Sequence, residues 1–552
     1  MTHMKSYNYS CEILTKRMQV IQKNISSLSF NKRCLFNLFL GSLSALSFAP
    51  LNFIFILFIT IPFYILNFDF FFLKKSLYSR KKFLIYSFLF GLSFGYGLFL
   101  TSLYWINISL LYDIERYMLF LIPGIFLIPF ILGIFYGIMT IIFSIYYPQN
   151  ITRIFLVAII WTLIEYIRIK ITFFPWAQIG HSIIEIDQIL QITSVFGEVS
   201  LNTISVIIFA FPILYITERN KNYKSKSLLF FVIFLSTIFI YGERKLSLDS
   251  DNRENTEIIL IQPNINQKEK WDPKLFQSNK NKLINPTNKI LNLPRKDTKS
   301  NRYFIWPETA IATLIDENPL LTYEVTKNFS KNDYLMLGSL RRENENIFNS
   351  FFIIDYNNII IGKYDKNILV PFGEYIPFDK LFRKLSFLNI SSLAGNFTPG
   401  SKSIEILNTL KNNPIVYICY EIVFSNKIQD GDREKSFLLN ITNDAWFGNS
   451  SGPYQHFNMS KIRPVELGMP LVRVANNGIS GIINPFGKEI LKSKLNTEFH
   501  KSIFLPSRIE QTFYSKYGNI PFFCILLFGF MLIYYFNNQM SRNTASRKPN
   551  VK

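Results

Sequence analysis

A thiol, a carboxylate and an amine at the ends of apolar runs are the minimum equipment for acyl transfer, and this chain places all three. Cys419 sits in "IVYICYEI" (415–422), followed at once by Tyr420 and Glu421. Glu308 follows Trp306-Pro307 in "WPETA", while Lys366 and Glu374 fall in "YDKNILVPFGEYIPF" (364–378), a loop punctuated by Pro and Gly. A cysteine nucleophile needs a base or a positive neighbour to become thiolate. A buried glutamate can take the proton. A lysine, with the backbone N–H that follows the nucleophile, can hold the oxyanion formed when an acyl carbonyl is attacked. Glu308, Lys366 and Cys419 therefore suffice for chemistry through a thioester if the fold brings them together, which spacing alone does not establish.

Plainer roles are open to each residue. A lone Cys in an apolar run packs, a Glu after Pro suits the first turn of a helix, and Lys366 is one of 59 basic residues. Asn443 and Asp444 read as turn formers. His456 has no evident proton partner and reads as structural. The four histidines, at 3, 181, 456 and 500, are too scattered for a Cys-His dyad or a metal cluster, so neither a metal nor another cofactor is expected.

The elements that would position this chemistry divide in two. Of 552 residues, 49% are hydrophobic, concentrated before about residue 242 and again near the end. Apolar runs at 34–49, 51–72, 83–106, 117–147, 154–169, 197–217, 227–242 and 519–536 read as eight membrane spans, the first two forming a hairpin broken at Ala49-Pro50. Gly91, Gly95 and Gly97 have helix-packing spacing. Basic residues favour alternate loops: Lys16, Arg17, Lys23, Lys32 and Arg33 before the first run, Lys74 to Lys82 after the second, Arg219 to Lys226 after the sixth, and the final tail "SRNTASRKPNVK". That alternation predicts cytoplasmic ends and a domain at 250–510 outside the cytoplasm. The expected division is a basic leader (1–33), a bundle of about seven helices (34–242), a catalytic domain (250–510), a last helix (519–536) and a basic tail (537–552). The leader runs into the first span as an uncleaved anchor. The net charge of +21 is spread without a compact basic stripe, so no nucleic-acid partner is expected. With Cys11 in the leader and Cys34 and Cys524 in apolar runs, Cys419 is the single thiol of the outer domain, which leaves it inert packing or a reactive group.

Strand-like runs in that domain lie at 257–265, 302–308, 334–340, 350–356, 415–422, 437–444, 470–477 and 480–487, with helical patterns at 319–330 and 456–469. Near-continuous apolar character suits strands covered on both faces, and "DYNNII" (355–360) carries hairpin chemistry. Mixed sheets with helices on one side of each layer follow.

The segments "WPETA", "KYDKNILVPFGEYIPF", "ICYEI" and "NDAWFG" resemble the signatures of the nitrilase superfamily. More narrowly, with "NMSKIRPVELGMPLVRVANNGIS" (458–480) and "FFPWAQIG" (173–180), they resemble the apolipoprotein N-acyltransferase family, over almost the whole chain. The resemblance implies an α-β-β-α sandwich on a membrane bundle of about eight helices, in a bacterial inner membrane with the sandwich facing the periplasm. It implies a Glu308–Lys366–Cys419 triad supported by Glu374, Tyr420 and Glu421, with Trp271 among the family's supporting positions. It also implies acyl transfer from the sn-1 position of a phospholipid to the α-amine of an S-diacylglyceryl-cysteine on an apolipoprotein, by a monomer. Trp271, Phe447 and Trp176 are expected to line a lipid-facing mouth. Two rivals remain: a membrane-tethered nitrilase or amidase with water as acceptor, and a non-catalytic lipid-binding or transport protein, for which Glu165 and Arg168 are the nearest charged groups inside a span.

Overall fold

The computed structural model describes residues 19–546 except 149, 218–219, 296, 372, 376–396, 401–404, 407–409, 411 and 426–434. Cys11, Lys16, Arg17, Arg219, residues 376–378 and the tail from 547 lie outside the described residues. The N-terminal half is helical: α1 (Phe30–Ser44), α2 (Leu57–Phe72), α3 (Arg80–Ser102), α4 (Ile114–Ile145), α5 (Thr152–Thr172), α6 (Val199–Ala210), α7 (Pro212–Thr217) and α8 (Lys221–Leu246). Five described segments are long and apolar enough to cross a bilayer: Ile54–Phe72, Arg80–Ser102, Phe120–Ile145, Val199–Thr217 and Asn222–Leu246. Every expected span is at least partly helical, but not all have the same character. The 15-residue α1 covers only about 22 Å, and α5 carries Arg153, Glu165, Arg168 and Lys170. Helix α5 buries Arg153, Glu165 and Arg168 within the bundle, and α1 buries Arg33 and Asn37 on one side while Leu35 and Phe39 stay exposed on the other. On α8, by contrast, Leu229, Phe230, Val232 and Ile233 are exposed together, as a lipid-facing side requires. The small-residue spacing of α3 does serve close packing: a methyl group on Gly91 would strike the Tyr136 carbonyl, and one on Gly97 the Leu38 carbonyl.

The second half is a pair of mixed sheets. The first joins β12 (Phe499–Pro506), β1 (Arg253–Gln262), β2 (Asn301–Ile305), β3 (Asp333–Glu343), β4 (Asn346–Ile354), β5 (Ile360–Asp365) and β6 (Glu405–Ile406), in that order. The second joins β11 (Glu489–Lys492), β10 (Gly481–Ile483), β9 (Leu471–Ala475), β8 (Phe437–Thr442) and β7 (Pro414–Ile418). In each, three strands run parallel and the rest are added antiparallel.

Alternation along β1 explains its unbroken apolar run. Ile258 and Leu260 pack between the sheets with Tyr303, Met336, Ile418 and Leu439. Ile259 and Ile261 turn outward, under α9 (Phe276–Leu291) and α10 (Pro319–Thr326), against Leu283 and Val325. The outer face of the second sheet meets α11 (Gly452–Ser460) and α12 (Ile462–Leu467). There Leu438, Leu471, Phe457 and Val465 belong to one hydrophobic core with the membrane helices. The order of layers is α-β-β-α, with the last layer fused to the bundle. The chain ends in α13 (Ile520–Ser546), whose Phe522 and Leu526 join that same core.

Candidate active site

Three chain crossings converge at the C-terminal ends of β2, β5 and β7. Beyond β2, Trp306-Pro307 carries the backbone across β3, and Gly338 makes the crossing possible: a Cβ there would lie 2.6 Å from the Glu308 Cα. Glu308 is buried in a turn rather than in a helix. Beyond β5, Lys366 is tied by its N–H to the Asn349 carbonyl (2.8 Å) and is 1% exposed. Beyond β7, Cys419 opens a short 3-10 turn with φ of +53°, a left-handed conformation that non-glycine residues adopt only when their surroundings impose it.

Glu421 supplies much of that imposition. Its buried carboxylate accepts from Tyr364 Oη (2.8 Å) and from the N–H groups of Asn367 (2.7 Å), Ile368 (3.0 Å) and Ile418 (2.8 Å). One side chain thereby joins the Lys366 crossing to the Cys419 crossing. From behind, Asn440 donates to the carbonyls of Tyr417 (3.0 Å) and Cys419 (3.3 Å).

The charged groups form one cluster. Lys366 Nζ donates to Glu374 Oε1 at 2.9 Å and to Glu308 Oε1 at 3.3 Å. Asn349 Nδ2 bridges the same two oxygens, at 3.1 Å and 2.8 Å. Burial works against the Lys366 charge, but Glu374, Glu308 and Cys419 outweigh it and hold the ammonium well above the usual lysine range. Burial, with Glu308 and Asp444, pushes the Cys419 thiol up to about 12 against the opposing effects of Lys366 and a Thr442 hydrogen bond. Cys419 thus rests as a protonated thiol, which would have to lose its proton for the sulfur to attack. Glu308 is the carboxylate that acts most strongly on it.

The supporting expectations fare differently. Glu374 anchors Lys366. Tyr420 does more than offer a backbone N–H: its hydroxyl donates to the Phe173 carbonyl and its ring stacks on Trp176 at 5.6 Å. Trp176 is 1% exposed and packed among Tyr420, Phe174 and Trp105, so it supports the site from beneath. Half-buried Phe447 packs edge-on against Trp105 at 4.8 Å. Trp271 is half exposed.

Two of the plainer readings need correction. Asp444 is not simply a turn former, since its carboxylate pairs with Arg473 (2.8 Å) and His456 (2.9 Å) and accepts from Thr442. His456 therefore has a partner, and burial together with Arg473 lowers its pKa.

Lys270 was not singled out by sequence. It is buried and donates to the Glu308 carbonyl (3.2 Å) and to Thr309 Oγ1 (3.3 Å). Burial brings its amine down to about 8, against the pull of Glu308 and Cys419. Among the described residues no group of three or more His, Cys, Asp or Glu is disposed to hold a metal ion.

Comparison with known proteins agrees across both halves. Residues 40–211 match the family model described as apolipoprotein N-acyltransferase N-terminal domain, and residues 277–499 match carbon-nitrogen hydrolase. A protein from Allorhizobium ampelinum named apolipoprotein N-acyltransferase is 32% identical over 421 residues, 74% of this chain and 78% of its own length. One of the same name from Rhodopseudomonas palustris is 29% identical over 516 residues, 91% of this chain and 95% of its own. A solved amidase from Nesterenkonia sp. AN1 aligns at 15% identity and a TM-score of 0.32, covering 46% of this chain and 93% of that protein.

Proposed function

The chain belongs to the apolipoprotein N-acyltransferase family, a membrane-embedded bacterial enzyme that acylates lipoproteins, and from that premise we propose a two-step transfer carried by Glu308, Lys366 and Cys419. In the first step Glu308 takes the thiol proton as Cys419 Sγ attacks the sn-1 ester carbonyl of a phospholipid. Lys366 and the Tyr420 N–H face the oxyanion. The intermediate collapses, the C–O bond breaks, and the lysophospholipid oxygen leaves with the proton from Glu308. A thioester remains.

In the second step the α-amine of an S-diacylglyceryl-cysteine attacks the same carbonyl and gives its proton to Glu308. The C–S bond breaks and the thiolate recovers that proton. The products are an amide and the original enzyme. A single cleft used twice suits two bulky lipids, and water must be kept out while the thioester persists; the burial of Cys419, 8% exposed, supports that. The alternation of basic loops supports a periplasmic site.

The observation that carries this reading is the single cluster in which Lys366 lies between Glu308 and Glu374 and both triad charges act on the Cys419 thiol. Its test is mass spectrometry of the full chain incubated with phospholipid alone. An acyl adduct on Cys419 is expected, discharged by a diacylated lipopeptide and absent from Cys419→Ala. Release of free fatty acid with no transfer to the peptide would mark a hydrolase instead.

A further inference from the structure

Arg168 and Glu165 are fully buried near the outer end of α5 and paired, with Arg168 Nε and Nη2 donating to Glu165 Oε2 at 2.9 Å and 2.6 Å. Burying such a pair does not by itself favour folding, because apolar side chains of similar volume stabilise as well or better. Nor does either group line a lipid entry, for neither is accessible. What a guanidinium adds is directed donors left over after the ion pair. Here Nη1 donates to the Phe174 carbonyl (2.7 Å) and Nη2 to the Trp176 carbonyl (2.9 Å), while the guanidinium lies 5.1 Å from the centre of the Phe99 ring.

The loop so gripped is under constraint. Phe173 and Ala177, at its two ends, both have positive φ, +50° and +58°, without being glycine. Something must hold them there, and Arg168 grips the two carbonyls between. On its other side the loop meets the catalytic domain, where Trp176 lies 6.0 Å from the His456 ring and closer still to Tyr420. Tyr420 donates its hydroxyl to the Phe173 carbonyl and stacks on Trp176 with 13° between the ring planes. Tyr420 is bonded directly to the nucleophile, whose own backbone is left-handed.

We propose that Arg168 is a positioning residue for the acyl-transfer step: through the Phe173–Ala177 loop it fixes the Tyr420 ring, and so the direction in which the Cys419–Tyr420 peptide N–H meets the acyl oxygen. The membrane half thereby supplies part of the catalytic geometry rather than only an anchor. This rests on the reading of Cys419 as nucleophile and of the Tyr420 N–H as an oxyanion donor.

The test is a double-mutant cycle on the full chain in lipid vesicles, read by the burst of p-nitrophenolate from p-nitrophenyl palmitate. That activated ester acylates a competent cysteine whatever the natural donor is. Failure of the phospholipid assignment therefore appears separately, as a missing phospholipid adduct on wild-type Cys419. Arg168→Met is expected to slow the burst about 10- to 100-fold, the range for losing a supporting hydrogen-bond partner, with the ester KM changed less than about threefold. Tyr420→Phe slows it through the same loop, so the double variant is no slower than the slower single one. Arg168→Lys keeps a cation against Glu165, and with it the fold, but cannot reach both carbonyls; it shows the same slow burst at an unchanged unfolding temperature. A burst within twofold of wild type in Arg168→Lys, or single effects that multiply in the double variant, overturns the proposal.

Discussion

Neutralising Glu374 without changing its shape tests how the site divides one cation between two carboxylates. At an effective dielectric of about 20, a unit pair at 2.9 Å couples by about 6 kcal/mol and one at 3.3 Å by about 5 kcal/mol. The two carboxylates therefore compete for Lys366 on nearly equal terms. On the proposed mechanism, that sharing leaves the Glu308 carboxylate available for the thiol proton. In Glu374→Gln the competition ends and Lys366 turns its charge on Glu308. If a third of the released coupling is redirected, about 2 kcal/mol, proton acceptance slows about 30-fold. The expected result is a 10- to 100-fold fall in the single-turnover rate of Cys419 acylation, measured by mass spectrometry with phospholipid alone, and a lipid KM within about threefold of wild type. An acylation rate within threefold of wild type, or a defect confined to KM, would refute the idea that Glu374 sets the basicity of Glu308 through Lys366.

Lys270→Met should remove an inflection near pH 8 from the acylation profile, where the wild-type ammonium loses its proton and stops favouring negative charge at Cys419; Lys270→Arg, which stays charged, should lack the inflection but keep the low-pH rate. The folded value of about 8 lies below that of an exposed lysine, so the buried charge opposes folding in full below about pH 8 and is relieved as pH climbs toward about 10.5. Wild type should therefore gain thermal stability on Lys270→Met across that window, which melting curves at matched pH would reveal. Glu421→Gln leaves at least one of its four donors facing an amide N–H, a cost of about 1–3 kcal/mol; a lower unfolding temperature is expected, and an unchanged one counts against its role as the tie between crossings. Trp271→Ala should raise KM for phospholipid in a vesicle assay without moving the unfolding temperature; an unchanged KM removes Trp271 from the lipid path.

The three residues that the fold gathers into one cluster stood out in the sequence because each lies within a few residues of others that mark it: Trp306-Pro307 before Glu308, the Pro/Gly loop after Lys366, Tyr420-Glu421 after Cys419. Asn349 carries no such mark, being one of three polar residues in the strand "NIFNSFFII", and its reach to two carboxylates exists only once β4 lies beside β5. Lys270 hides in "NQKEK", a charged run that reads as solvated until its burial is seen. Trp176 looked lipid-facing because an aromatic cluster at the end of an apolar helix usually is. Its partner, Tyr420, arrives from the far half of the chain, and no local pattern announces a pairing across that distance. His456 and Asp444 misled for the same reason, a helix and a strand end meeting only in the folded sheet. Strand β11 has only four residues, helix α9 is strongly polar, and β5 and β12 mix polar with apolar residues, so periodicity passed over them.

The fused last layer of the sandwich has a consequence for how this enzyme can be dissected. Severed after the eighth helix, the remainder would bare Tyr420, Phe457 and Val465 to water and would lose the carbonyl that tethers the residue beside the sulfur. A soluble excised half would be a poor proxy for the intact molecule, and an inhibitor screened against it would meet a surface that never exists in the bilayer.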